Sequence, residues 1–408
     1  MTSSQKTFIS MLRSFVSSAE FVPEENADWN EVIQIAVRQS LAGLMYYVLA
    51  NVAEKSRFLS DEQTAFLKNA YLQTITRSTQ LKYAAEELCK ALSAEQIVHV
   101  PLKGLITREY YPLPELRTMG DMDFLIHVED RVTAQKALIK IGYEYIHTEG
   151  IEDESDVYKK DDIQIELHTE LVYIRAKDNE TRLPMPLEWS EFIESEVGEY
   201  TLRPTENYFM VLQIAHMAKH FRNTGCGFRY ILDIALMLPH YDKWNNKQIS
   251  TKLEDFRYLK FYEIIVSYCV HKLEVRLEKP PMVLDEATID VLAREFFVEY
   301  VHGSIDKKLA DISVKTSRTF KNRRMAKLHL AFSRIFLSLS KMQKEYTYLK
   351  KHSWLILIAY IQRMFKLIMN KEIRIEKLKK LNAINDAGIL EVNTQRVELI
   401  EKLFEEKG

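Results

Sequence analysis

The stretch that decides the reading of this chain is Arg117-Thr118-Met119-Gly120-Asp121-Met122-Asp123-Phe124-Leu125-Ile126. Two aspartates stand one residue apart, after a glycine and before an apolar run. In a β-strand, residues i and i+2 point to the same face. The spacing therefore predicts that Asp121 and Asp123 project together from the start of a strand whose far end, Phe124 to Ile126, is buried. Convergent carboxylates disfavour one another's charge unless a cation neutralises them. Hard oxygen ligands at this spacing suit Mg²⁺, and the pattern points to metal-assisted phosphoryl chemistry.

Working outward, the texture on both sides is that of an α+β unit. Residues 97–102 are short, β-branched and apolar, which predicts a strand, and Lys103-Gly104 breaks it. Residues 105–111 read as a helix opening, stopped by Pro112-Leu113-Pro114. Downstream, a strand is predicted from Asp121 to Val128. Asp130 is placed to cap a helix over 131–141, with Gly142 to end it. Residues 143–147 read as a strand and 149–156 as an acidic loop. Val157-Tyr158-Lys159 and 163–168 read as a hairpin turning at Lys160-Asp161-Asp162. Apolar residues recur at helical spacing before this unit (Ile33, Ala36, Val37, Leu41, Leu44) and again from residue 205 onward. The expected fold class is α+β, a mixed sheet with flanking helices between N- and C-terminal helical regions. The expected division is 1–96 helical, 97–200 core and 201–408 helical.

Two metals for in-line transfer need three carboxylates. The third is expected on a neighbouring strand, and Glu166 is the best placed, because Gln164, Glu166 and His168 share one face of 163–168. Asp121, Asp123 and Glu166 are thus the expected catalytic and metal-binding residues. The glycine of Lys103-Gly104 allows backbone close to a phosphate, and a helix N-terminus there would favour an anion. Lys103 and Arg117 are expected to place charge on the β- and γ-phosphates, with Gly104 and Gly120 as nucleotide-binding neighbours. Lys219 is placed on a later helix to reach the triphosphate. His216 and His220 have the i, i+4 spacing of a zinc pair, but no third ligand is evident, and packing is the expected role. Arg229 and Asp233, also i and i+4, are expected to pair.

At this point the chain resembles the nucleotidyltransferase superfamily with the DNA polymerase β-like fold, and within it a branch of uncharacterised bacterial nucleotidyltransferases. The residues carrying the likeness are Lys103-Gly104, Tyr110-Tyr111, Arg117, Gly120-Asp121-Met122-Asp123-Phe124-Leu125-Ile126 and Glu166-Leu167-His168. His216-Met217-Ala218-Lys219-His220, Gly227-Phe228-Arg229 and Asp233 extend it, with a weaker echo at Tyr348 and Arg363. The resemblance implies the superfamily's core, a carboxylate triad, an NTP substrate such as ATP, and Mg²⁺-dependent transfer of its NMP to a hydroxyl acceptor with release of pyrophosphate. Two departures stand out. The superfamily usually has Gly-Ser or Gly-Gly where this chain has Lys103-Gly104, and Glu166 stands where Asp is commoner. These departures also open a second reading, a nucleotide-binding or regulatory protein on the same fold without transferase activity.

Composition narrows the field without deciding it. Apolar residues are 47% of the chain, ample for sizeable cores, and the net charge is −2, so no global field selects a partner. Cys89, Cys226 and Cys269 are too scattered for a disulfide framework or a zinc site. The N-terminus lacks the apolar stretch of a signal peptide. The apolar run Trp354 to Ile361 is well short of the ~20 residues that span a bilayer. A reduced, cytoplasmic protein without a transmembrane segment is expected. Charge is nevertheless uneven: residues 315–380 hold 18 Lys and Arg against three Glu. That segment reads as a solvated amphipathic face, an RNA surface or a membrane-surface contact. The scarcity of aromatics among its first basic residues favours a small-molecule or protein acceptor over RNA.

Overall fold

The sheet that bears Asp123 is assembled from both ends of the α+β unit, and the helices on either side serve to hold it. The computed structural model describes residues 1–50, 52, 58–146, 155–171, 173–175, 182–223, 225–241, 246–279, 286–298, 342, 346–350, 352–369, 398–400 and 402–404. The chain divides into two units. One comprises Met1–Thr148, Asp153–Gly303 and Leu403–Lys407, the other Glu149–Glu152, Ser304–Lys402 and Gly408.

In the first unit, helices α1 (Ser3–Ser17), α2 (Trp29–Arg38), α3 (Ala42–Ala50) and α4 (Asp61–Ala94) lead into the sheet. Capping boxes open α1, through Thr2 and Gln5, and α4, through Ser60 and Gln63. Each satisfies two backbone N–H groups that a helix start leaves unpaired. Strand β1 (His99–Pro101) and the single turn α5 (Gly104–Thr107) follow, then β2 (Met122–Ile126), α6 (Arg131–Lys140), β3 (Glu144–Ile146), β4 (Ser155–Lys160) and β5 (Ile163–His168). These five strands form one sheet in the order β1-β2-β5-β4-β3. β2 and β5 run parallel, and the other neighbours are antiparallel. The sheet is therefore mixed and the fold α+β, as expected.

Side-chain alternation divides the labour of the two faces. Met122, Phe124, Ile126, Ile165 and Leu167 pack with Leu81, Leu88 and Leu92 of α4 and with Ala134 and Leu138 of α6 in one core. The opposite parity carries Asp123, Glu166 and His168. Two short hairpins come next, β6 (Tyr173–Arg175) with β7 (Arg182–Pro184) and β8 (Phe192–Glu194) with β9 (Leu202–Pro204). The chain then returns to helices: α7 (Glu206–Asn223), α8 (Phe228–Met237), α9 (Lys247–Asp255), α10 (Leu259–Leu273) and α11 (Glu286–Val298). Every residue of α8 is buried.

The structure departs from the sequence reading at several boundaries. Asp130 makes no side-chain cap to α6, because a 3₁₀ turn, Val128–Asp130, already holds its backbone in helical geometry. The same turn ends β2 at Ile126. The helix expected after Lys103 is one α-turn followed by 3₁₀ residues Arg108–Tyr110. Ser155 and Asp156 of the expected loop belong to β4, and Asp156 is buried against the forked guanidinium of Arg131. The predicted hairpin turn is present, with Asp161 at φ 53°.

The second unit holds a small cluster of Met342, Leu349 and Ala359. Here helix α12 (Ile356–Met369) receives a hydrogen bond on Gln362 from the Tyr348 hydroxyl at 2.8 Å. Most of the basic segment 315–380 lies outside the described residues. Among those described, no helix is long and apolar enough to cross a membrane.

Candidate active site

The parallel register sets Asp123 directly beside Glu166, and the period of two puts His168 on the same face as Glu166. His168 Nε2 lies 2.8 Å from Asp123 Oδ1 and 3.7 Å from Glu166 Oε2. Lys103 donates from Nζ to the same Asp123 Oδ1 at 2.5 Å. One ligand atom from each of Asp123, Glu166 and His168 lies within 4.8 Å of the others, the sole such group among the described residues. Asp121 sits just before β2, half-buried and outside that group. It is still close enough for its charge to act on Glu166 and Lys103. The oxygens of Asp123 and Glu166 are donors that fit a hard divalent cation. With His168 hydrogen-bonded to Asp123, the imidazole is positioned as an outer-shell partner that orients the carboxylate.

The electrostatics are polarised. Burial works against charge on Asp123, yet Lys103 and His168 hold its carboxyl well below the usual range. Glu166 is pushed the other way, by burial first and then by Asp123 and Asp121. Burial likewise opposes the charge of Lys103, but Asp123 outweighs it and raises the ammonium's pKa. Neighbouring carboxylates are thus driven apart in proton affinity, the pattern that separates an electrostatic ligand from a base.

Lys103 reaches Asp123 from an unusual backbone, φ 48° and ψ −118°. The Thr107 amide and hydroxyl both donate to its carbonyl, at 2.9 and 2.8 Å, and the Leu102 amide donates to the Asp123 carbonyl at 2.9 Å. The turn is therefore fixed against β2. Gly104 has a packing reason: a Cβ there would lie 2.4 Å from Arg117 Nη1 and 2.6 Å from Met119 Sδ.

Arg117 is engaged by a carboxylate outside the cluster, that of Asp233. Its guanidinium donates to Asp233 from Nε at 3.2 Å and from Nη2 at 2.8 Å, and Tyr111 donates to the same carboxylate at 2.7 Å. Arg229 donates from Nη1 to the Thr118 carbonyl at 3.0 Å. The expected pairing of Arg229 with Asp233 is thus replaced by Arg117 with Asp233. In effect α8 grips residues 117 and 118, the run-in to Asp121. Gly120 is exposed in that run-in.

Lys219 lies on α7, half-buried. Burial, then Lys103, His220, Lys219 and Arg229, drive the His216 imidazole well below its ordinary pKa, which places these cations around it. The rings of His216 and His220 are 4.5 Å apart, and Tyr230 lies 5.9 and 5.4 Å from them. Among the described residues no third ligand joins the two histidines. The partner missed in the sequence is His168. Its position two residues beyond Glu166 was the available signal. Nothing in local spacing announced the Arg117–Asp233 pair.

Sheet and register together define an α+β core that carries a carboxylate cluster on one face. Residues 25–274 match the profile of the family described as uncharacterised nucleotidyltransferase, and the chain belongs to that family. The chain is also similar, at 12% identity, to the solution structure of the antibiotic-resistance factor ANT(2'')-Ia, over 45% of this chain and 91% of that one, with a TM-score of 0.33. Comparison with curated proteins gave no match.

Proposed function

We propose that the chain moves an NMP from an NTP to a hydroxyl acceptor with Mg²⁺ held by Asp121, Asp123 and Glu166. The observation that carries this reading is the parallel register, which sets Asp123 beside Glu166 on the face away from the α4–α6 core. A bound Mg²⁺ would polarise the α-phosphate and neutralise charge on the leaving group. The acceptor oxygen forms the new bond to the α-phosphorus. The bond from that phosphorus to the bridging oxygen of the β-phosphate breaks, and its electron pair leaves with pyrophosphate. Glu166, whose proton affinity is raised, takes the acceptor's proton. Lys219, with Gly104 and Gly120, is assigned to the nucleotide side. Arg117 acts on the site through its buried contacts.

The acceptor class we favour is a small molecule or a protein hydroxyl, within the cytoplasm. The test supplies the purified chain with Mg²⁺, each α-labelled NTP and a fractionated cell extract, and follows both labelled product and pyrophosphate. Wild type should release pyrophosphate with at least one NTP, and Asp123→Asn should lose that release. Nucleotide binding without any pyrophosphate would instead establish the non-catalytic, regulatory reading.

A further inference from the structure

Lys103 combines two features that rarely coincide. Its backbone lies at φ 48°, ψ −118°, a region that side-chain-bearing L-residues avoid and that glycine enters freely. Its side chain, about a quarter exposed at 24%, forms an ion pair with the 5%-exposed carboxylate of Asp123. A glycine at this position would remove the backbone strain and give up the ammonium with its methylene stem. Strain retained at a site is an indication that the strained residue's side chain is needed there.

The ammonium also occupies a telling position. It bonds to Asp123 Oδ1, on the carboxylate that β-pairing sets beside Glu166. It lies within electrostatic reach of Glu166 and Asp121 as well. Lys103 thus stands among all three carboxylates assigned to the metals. Together these four groups leave a formal charge of minus two, which one divalent ion cancels. A second divalent ion at Asp123 would meet the ammonium at close range and be repelled.

Resting on the metal-dependent reading given above, we propose that Lys103 is a resident cation of the carboxylate cluster. It takes the place of one of the two metal ions, so that each site works with a single divalent ion. Asp123 then anchors Lys103 through Oδ1, and its second oxygen, with Asp121 and Glu166, is left to the single ion.

The experiment counts ions by electron paramagnetic resonance of Mn²⁺, using the full chain with a non-hydrolysable NTP analogue. Wild type should bind one Mn²⁺ per chain, and Lys103→Met should bind two, with transfer reduced by about 100-fold. Two ions in wild type, or one in Lys103→Met, would overturn the proposal while leaving metal-dependent transfer intact. No ion in wild type would overturn that broader reading and this one together. A second measurement does not depend on metal. Lys103→Gly and Lys103→Ala both lose the ion pair and the methylene stem, but only glycine relieves the backbone. In metal-free buffer Lys103→Gly should therefore melt roughly 2–4 °C or more above Lys103→Ala. Equal midpoints would remove the argument from strain and overturn the assignment.

Discussion

Glu166 is the residue whose environment says most about its role. Burial and the charges of Asp123 and Asp121 raise its proton affinity in the folded chain. Its ionised form is therefore a cost to folding at neutral pH, and that cost fades as pH falls through the raised pKa and is gone below the ordinary carboxyl pKa. Replacing it by the neutral, isosteric glutamine should lower transfer by about 10²–10³-fold. The thermal midpoint at pH 7 should hold or rise. Calorimetry beside a turnover assay checks both. A lowered midpoint with full turnover would make Glu166 a structural residue. At this scale the sequence was informative wherever a simple period applied. Asp123 and Glu166 could be placed on one face because strand parity is a hard geometric rule. Lys103 could be located at a turn but not given its partner, because backbone φ and the reach of its ammonium are set by contacts across the sheet.

Among the elements, α8 is tied to the run-in to β2 by buried polar contacts. Arg117, 6% exposed, and Asp233, 4% exposed, form an ion pair whose carboxylate also accepts from Tyr111. Removing one member leaves a charge without compensation, which typically costs about 3–5 kcal/mol. Asp233→Ala should show a loss of that order in denaturant unfolding. Arg117→Met combined with Asp233→Met should recover most of it, since the double variant buries no orphan charge. Additive losses would exclude a coupled pair. The i, i+4 rule assigned Asp233 to Arg229 because that rule sees one helix at a time. In the fold the guanidinium of a loop arrives first, and Arg229 turns to the Thr118 carbonyl. The same limit explains the shortened helix after Lys103 and the uncapped Asp130. In both cases a neighbouring 3₁₀ turn, set by packing, overrides the local signal.

For the molecule as a whole, the three thiols report on integrity of the first unit. Cys89, Cys226 and Cys269 are unbridged and buried. Burial, aided by Glu86, pushes the Cys89 thiol up to about 12, and burial drives Cys269 up as well. A thiol this reluctant to ionise is a poor nucleophile. Ellman's reagent at pH 8 should therefore find little to react with in the native chain and three equivalents in guanidinium. Rapid native reaction would mean that these helices open readily. The alternation of helical and α+β texture along the chain was legible from periodicity alone. The short hairpins β6–β7 and β8–β9 were not, since three-residue strands are too brief for a period to register. One consequence of the sheet order concerns how the site comes into being. Strand β5 belongs to a tight hairpin with β4 and to a distant partner, β2. Local hairpins close in about 1–10 μs, whereas long-range parallel pairing is slow. Formation by local pairing first would display Glu166 and His168 on the β4–β5 ribbon before β2 brings Asp123 beside them, so the carboxylate cluster would be completed by the long-range pairing.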